Sequence, residues 1–264
     1  MLYHAKNGIV SGMRYASFGT GEASLVMLPG LSDGLSTVRG KAVLLAAAYR
    51  IYAKQYRVYL FSRKERLPRE YSTRRMAADQ AEAMEALGIS KASVLGISQG
   101  GMIAQYLAID HPELVDKLVL AVTSPNANDT ARKAVGVWID LAERGDYAAL
   151  MADTAERSYS ERYLKRYRRL YPLLGRVGKP KSFDRFLTQA ESCLRHDART
   201  ELGKIACPTL VIGGGRDKIV GPEAAPLLAD RIEDSELFVY EDLGHGAYEE
   251  AKDFNRRVLD FLER

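Results

Sequence analysis

Short, almost wholly apolar runs alternate along this chain with longer amphipathic stretches. The runs 25–28, 57–61, 93–97, 118–122, 209–212 and 237–240 are four or five residues long. They predict strands buried on both faces, since a half-exposed strand alternates apolar and polar positions. Residues 2–5 and 13–18 predict an antiparallel hairpin at one edge. Helices are predicted at 43–53, 73–87, 102–110 and 222–231. Gly88 supplies a C-cap to the second, and His111-Pro112 stops the third, because proline disfavours helix in the residue before it. A last helix follows from Ala251, Phe254, Val258, Phe261 and Leu262 at helical spacing. Strand and helix alternation implies an α/β fold with a mainly parallel sheet flanked by helices.

The alternation fails between Pro125 and about Thr200. That stretch is helix-like, rich in Arg and Tyr, and has no convincing strand. It predicts a helical cap insertion at 125–199, over the strand ends of a core built from 1–124 and 200–264. A chain of 264 residues is long enough for such a domain without staples.

Composition narrows the class. Two cysteines, Cys193 and Cys207, cannot make a disulfide framework or a four-thiolate metal site. The N-terminus lacks the apolar run of a signal peptide. The longest uncharged stretch, 92–109, contains Ser98, Gln99, Gly100, Gly101 and Gln105, which argues against a membrane span. A cytoplasmic protein with no membrane association is expected, so the glycosylation pattern Asn128-Asp129-Thr130 is read as accidental. The net charge of +4 is concentrated, since 156–185 alone carries ten Lys/Arg against three Asp/Glu. The remainder is net negative, which excludes a general polyanion binder.

The segment Gly96-Ile97-Ser98-Gln99-Gly100-Gly101 follows an apolar run and opens a helix. This is the setting of a Gly-x-Ser-x-Gly turn, where a sharp bend presents the serine hydroxyl above the sheet. A glycine-rich helix start that binds an anion is the bland alternative. Serine is a weak nucleophile without a base, and the base needs an orienting group. Of four histidines, His4 lies in the first few residues and His111 ends the helix that Ser98 opens. His196 lies where the insertion returns to the core. His245, between Gly244 and Gly246 just after a strand, can approach a neighbouring strand end and is the expected base. Asp217, after Gly213-Gly214-Gly215-Arg216, sits at a strand's C-terminal end, where open α/β sheets place their sites. It is the expected orienting acid, although a turn or cap role suits it too. Glu241 and Asp242 share His245's own loop and are less well placed to grip the far side of the imidazole. An oxyanion also needs donors. The amide of Gln99 is one. The amide of Leu31, in Leu28-Pro29-Gly30-Leu31-Ser32-Asp33-Gly34, is the other, unless that loop is an ordinary Pro-Gly turn.

The order Ser98, Asp217, His245, with an upstream oxyanion loop and a helical insertion after Val122, resembles the α/β-hydrolase superfamily over nearly the whole chain. Many relatives carry His-Gly in the oxyanion loop, where this chain has Pro29-Gly30. The resemblance implies a cofactor-independent serine hydrolase that cleaves a small or medium carboxylic ester, thioester or lactone through an acyl-serine. C–C bond hydrolases, enol-lactonases, acyltransferases and cofactor-free haloperoxidases share that triad, so they stay open. So does a non-catalytic ligand receptor on the same fold. Serine at position 98 argues against epoxide and haloalkane hydrolases, which use aspartate there.

Tyr159, Tyr163, Tyr167 and Tyr171 recur every four residues among Arg162, Lys165, Arg166, Arg168 and Arg169. Such a face can bind single-stranded nucleic acid or a membrane interface, but the favoured reading is an amphipathic cap helix with its tyrosines inward. Part of it can attract an anionic substrate. No nucleic-acid partner is expected, and the oligomeric state is not encoded. Gly213-Gly214-Gly215 lacks the Lys-Ser/Thr ending of a phosphate loop. No His/Cys/Asp/Glu spacing predicts a metal site.

Overall fold

The computed structural model describes residues 2–68, 70–171 and 178–264. Residues 172–177 of the predicted insertion lie outside them. All six predicted central strands form, and two more complete a single sheet. In chain order these are β1 (Lys6–Val10), β2 (Met13–Phe18), β3 (Ala23–Leu28), β4 (Tyr56–Lys64), β5 (Ala92–Ile97), β6 (Val115–Ala121), β7 (Thr209–Gly214) and β8 (Ser235–Tyr240). They lie in the order β1-β2-β4-β3-β5-β6-β7-β8. β1–β2 and β2–β4 are antiparallel and every other pair is parallel.

The hairpin differs from expectation in its first arm. Tyr3 and His4 take left-handed backbone angles, φ 49° and 57°, and turn 2–4 into a single 3₁₀ turn. The arm is Lys6–Val10 instead, and Val10 pairs directly with Met13. Ser11 and Gly12 form the two-residue connection, both with positive φ, 47° and 75°. That twist matches the right-handed twist of the flanking strands.

Helices α1 (Ala42–Ala48), α2 (Thr73–Ala86) and α3 (Gln99–Asp110) join the first strands. The first is shorter than predicted, because the chain turns from Tyr49 onward. α2 begins on Ser72, whose side chain accepts from the Arg75 amide. It ends at Gly88 with φ 70°, the left-handed cap its sequence announced. Side chains alternate between the two buried faces of the sheet. Val26, Leu28, Val94, Leu118, Leu120 and Val211 pack toward α2 and α3. Leu25, Met27, Leu95, Ile97, Val119 and Ile212 pack toward α1 and the C-terminal helix.

Between β6 and β7 stand α4 (Asp129–Glu143), α5 (Tyr147–Ser158), α6 (Glu161–Tyr167) and α7 (Asp184–Leu194). Asn128, Asp146 and Ser160 cap the first three with their side chains. The two stems of this insertion meet, with Asn126 bridged to Asp197. Ala127 N donates to His196 O at 3.0 Å and Ala198 N to Pro125 O at 2.8 Å. After β7 come α8 (Ala224–Arg231), α9 (Ala247–Glu250) and α10 (Phe254–Leu262).

β3 leads left to β4, and β4 returns across it to β5, so the strand order reverses between β3 and β5. Ligand sites of open α/β sheets lie at such a reversal, beyond the carboxyl ends of the strands. There the start of α3 presses on the end of β3. A Cβ at position 100 would sit 1.9 Å from the Leu28 carbonyl oxygen. Backbone cannot move aside as a side chain can. Gly100→Ala is expected to lower stability by about 3 kcal/mol or more, read as a lower denaturation midpoint at unchanged slope.

Candidate active site

Ser98 joins β5 to α3 with φ 53° and ψ −119°. A positive φ is uncommon outside glycine and costs of order 1–3 kcal/mol. The surroundings hold it there. Ser98 N donates to Ala121 O at 2.9 Å, and Ser98 O accepts from Thr123 Oγ1 at 2.7 Å and Gly101 N at 2.8 Å. A Cβ on Gly96 would lie 2.6 Å from Gly100 O, and one on Gly101 2.5 Å from the Thr123 side chain. The glycines around the serine thus answer to crowding.

His245 and Asp217 converge on this serine from the ends of β8 and β7. His245 Nε2 lies 2.9 Å from Ser98 Oγ, and His245 Nδ1 lies 2.7 Å from Asp217 Oδ2. Both side chains are buried, while Ser98 stays partly open. The turn role weighed for Asp217 holds as well. Its Oδ1 accepts from Ile219 N at 2.7 Å and Val220 N at 2.9 Å, which leaves Oδ2 aimed at the imidazole. Gly213-Gly214-Gly215 gains a physical reason here. A Cβ on Gly214 would meet Gly244 O at 2.3 Å, so only glycine lets the Asp217 and His245 loops touch. The insertion supports the same loop, since Gly246 N donates to Ser158 O at 2.7 Å.

The expected donors lie at the strand reversal. Leu31 opens a 3₁₀ turn after β3 (Leu31–Gly34), and Gln99 is the first residue of α3. First-turn amides have no partner within their own helix. Gly30 lies against Ser98, where an added Cβ would be 3.2 Å from Ser98 Cβ. A buried residue that the sequence analysis did not single out bonds to this loop. Arg63, near the end of β4, is fully buried and donates from Nη2 to Pro29 O at 2.6 Å and to Gln99 Oε1 at 3.1 Å. Asp33 Oδ2 accepts from Arg63 N at 3.1 Å and from Arg185 Nη2 of α7 at 2.6 Å. The sequence offers little signal for it, since Arg63 stands between Ser62 and Lys64 at the polar end of β4.

The remaining candidates stay elsewhere. His4 is exposed, and His111 faces Glu113 at 3.7 Å. His196 is buried between Thr73 Oγ1 at 3.0 Å and Gln105 Oε1 at 3.3 Å. Asp242 pairs with Arg216 at the surface. Tyr159, Tyr163 and Tyr167 stack in succession with ring centres 4.5 Å apart, and the Tyr159 hydroxyl donates to Glu249. Arg162, Lys165, Arg166 and Arg169 face solvent, whereas Arg168 binds Glu156 and Glu161. Burial pushes the Cys193 thiol up to about 11, which leaves it unreactive at neutral pH. No group of three or more His, Cys, Asp or Glu suited to a metal ion occurs among the described residues.

A family model described as the alpha/beta hydrolase fold matches residues 23–252. The chain belongs to the α/β hydrolase family. A pimeloyl-acyl-carrier-protein methyl ester esterase of Neisseria meningitidis is 31% identical over 199 residues, which cover 70% of this chain and 74% of that protein. A 2-hydroxy-6-oxononadienedioate/2-hydroxy-6-oxononatrienedioate hydrolase of Paraburkholderia xenovorans is 27% identical, covering 95% of this chain and 90% of that one. Among solved structures, a deep-sea metagenomic α/β hydrolase from the Medee basin superposes with a TM-score of 0.82. It is 22% identical and covers 96% of this chain and 94% of its own. An enol-lactonase of Burkholderia xenovorans superposes at 0.79 with 21% identity, covering 98% and 100%. These two establish the shared hydrolase architecture.

Burial lowers the pKa of His196 from 6.5 to about 4, against the opposing pull of Asp197. The fold therefore favours the neutral imidazole. Its contribution is fully present above pH 6.5 and is lost as pH falls toward 4. Stability is expected to fall by roughly 3 kcal/mol across that window on this account. Urea denaturation at several pH values, compared with His196→Gln, checks it: the variant should lose this part of the slope.

Proposed function

We propose that this α/β hydrolase is a serine hydrolase of small or medium carboxylic esters, thioesters or lactones, and that Ser98, His245 and Asp217 carry the reaction. The observation behind this reading is the unbroken contact chain from Ser98 Oγ through the imidazole to Asp217. Ser98 Oγ attacks the carbonyl carbon while its proton passes to His245 Nε2. Asp217 Oδ2, bonded to Nδ1–H, fixes the tautomer and stabilises the imidazolium. The amides of Leu31 and Gln99 hold the oxyanion. The tetrahedral intermediate collapses to acyl-Ser98, and His245 returns its proton to the leaving alcohol or thiol. Water then gives a proton to His245 and attacks the acyl carbon, and the second tetrahedral intermediate breaks its bond to Ser98 Oγ, which takes the proton back from His245 as the carboxylic acid leaves. Each of these steps uses the chain's own groups.

In this reading 125–199 is the cap that covers the site and selects the acyl group. Its support is an apolar cluster shared by Trp138, Leu141 and Phe186 of the insertion with Leu31, Ile219 and Val220 of the loops below. The exposed arginines and lysine of α6 and the turn after it would raise the local concentration of an anionic substrate. We place the reaction in the cytoplasm. No helix among the described residues is long and apolar enough to cross a membrane. The same relay serves C–C bond cleavage, enol-lactone opening, acyl transfer and haloperoxidation.

A fluorophosphonate probe is expected to label wild-type protein at Ser98 and to leave Ser98→Ala unlabelled. Equal labelling of the two would remove the nucleophile, and a silent wild type would favour a ligand receptor. p-Nitrophenyl esters of rising chain length, run beside lactones, thioesters and dienedioates, identify the acyl chain and the kind of bond cleaved. Asp217→Asn should lower kcat on the best of these by about 10³–10⁴-fold, because an amide donor facing Nδ1 imposes the wrong tautomer. A loss below tenfold would count against Asp217 as the orienting group.

A further inference from the structure

We propose that Arg63 is a positioning residue for this reaction, its buried guanidinium holding both oxyanion donors in place and fixing a positive charge behind the oxyanion. The inference rests on the serine-hydrolase reading above and concerns a residue outside the relay. Arg63 is the largest fully buried side chain among the described residues. A single nitrogen, Nη2, spans the two halves of the expected oxyanion site. Pro29, which accepts at 2.6 Å, immediately precedes Gly30-Leu31. Gln99, which accepts at 3.1 Å, supplies the other donor amide.

The partners of this cation matter as much as its position. Both are neutral carbonyl oxygens, so the guanidinium has no carboxylate bound to it directly. Oδ2 of the nearby Asp33 is engaged by Arg185 at 2.6 Å, by the Arg63 main-chain amide and by Gln189 Nε2 at 3.4 Å, while its Oδ1 finds no partner among the described residues. Nε and Nη1 of Arg63 find no partner among the described residues. A buried, incompletely paired charge is costly, and packing alone is better served by an apolar side chain. Burial pushes the Arg63 pKa down while Asp33 opposes it, and an arginine stays charged throughout the working range. The anionic charge that completes the arrangement is the one that develops on the substrate oxygen. The far side of Gln99 is held equally firmly, since its Nε2 donates to Gln189 O at 2.8 Å and Ser192 Oγ at 3.2 Å on α7. Turn, nucleophile and insertion therefore share one buried polar junction.

The test uses p-nitrophenyl butyrate turnover and the rate of phosphonylation by a fluorophosphonate, with folded fraction checked by thermal melting. Arg63→Met is expected to lower kcat by about 10–100-fold with KM within about threefold, and to slow phosphonylation in parallel. Arg63→Lys should restore part of kcat. If Arg63→Met does not fold, Arg63→Gln, which keeps a polar group but removes the charge, should lower kcat in the same manner. Wild-type kcat in either folded variant overturns the proposal, as does a change confined to KM. Labelling of wild-type Ser98 reports separately on the underlying reading. A labelled wild type with full-speed variants sinks only the role of Arg63, and an unlabelled wild type sinks both.

Discussion

The molecule is organised around the contact between the start of α3 and the end of β3. The chain reverses direction at Ser98 within one residue, and the turn fits only because Gly100 lies against the Leu28 carbonyl. This places the first helical amides beside the loop that follows β3. It also holds the serine in a left-handed backbone that an isolated peptide would rarely adopt. Buried strands on both sides supply the stability that offsets the strain. Val122, one strand over, repeats the pattern with φ 44°, unusual for a β-branched residue. Its neighbour Thr123 reaches back to Ser98 O. The strained positions thus cluster where strands end and the site begins.

Much of this arrangement was legible in the chain itself, for physical reasons that differ between residues. The central strands were readable because burial on both faces demands unbroken apolar runs. Ser98 was readable because crowding forces glycine at fixed offsets. His245 and Asp217 were readable because each follows a strand and few alternatives compete. The first hairpin arm was misplaced because Leu2-Tyr3-His4 has strand-like residue types, while the two-residue turn at Ser11-Gly12 sets the register. Ends of helices moved by a few residues, as at Tyr49, where no cap residue marks the stop. Arg63, Asp33, Arg185, Gln99 and Gln189 could not be assembled from sequence, since polar residues far apart in the chain become partners only once the insertion is folded over the sheet.

That assembly bears on how the site is held. Two of the polar attachments between the insertion and the loops beneath it lie beside the site. One joins α7 to the Asp33 turn and to Gln99. The other joins the end of α5 to the histidine loop, through Ser158 O and through Ser160 to Glu250. The inserted helices therefore help hold both the His245 loop and the turn after β3. Displacing either attachment leaves buried polar groups unpaired, which costs more than the hydrogen bonds themselves contribute.

The stems of the insertion carry a further meaning. Its entry and exit meet at one bridge, Asn126 to Asp197, beside the ends of β6 and β7. Chain added or removed beyond that clasp leaves the strand ends where they are. The intervening helices are not free to vary in the same way, because any replacement must restore the hydrogen bonds that Ser158, Arg185 and Gln189 make to the loops around Ser98 and His245.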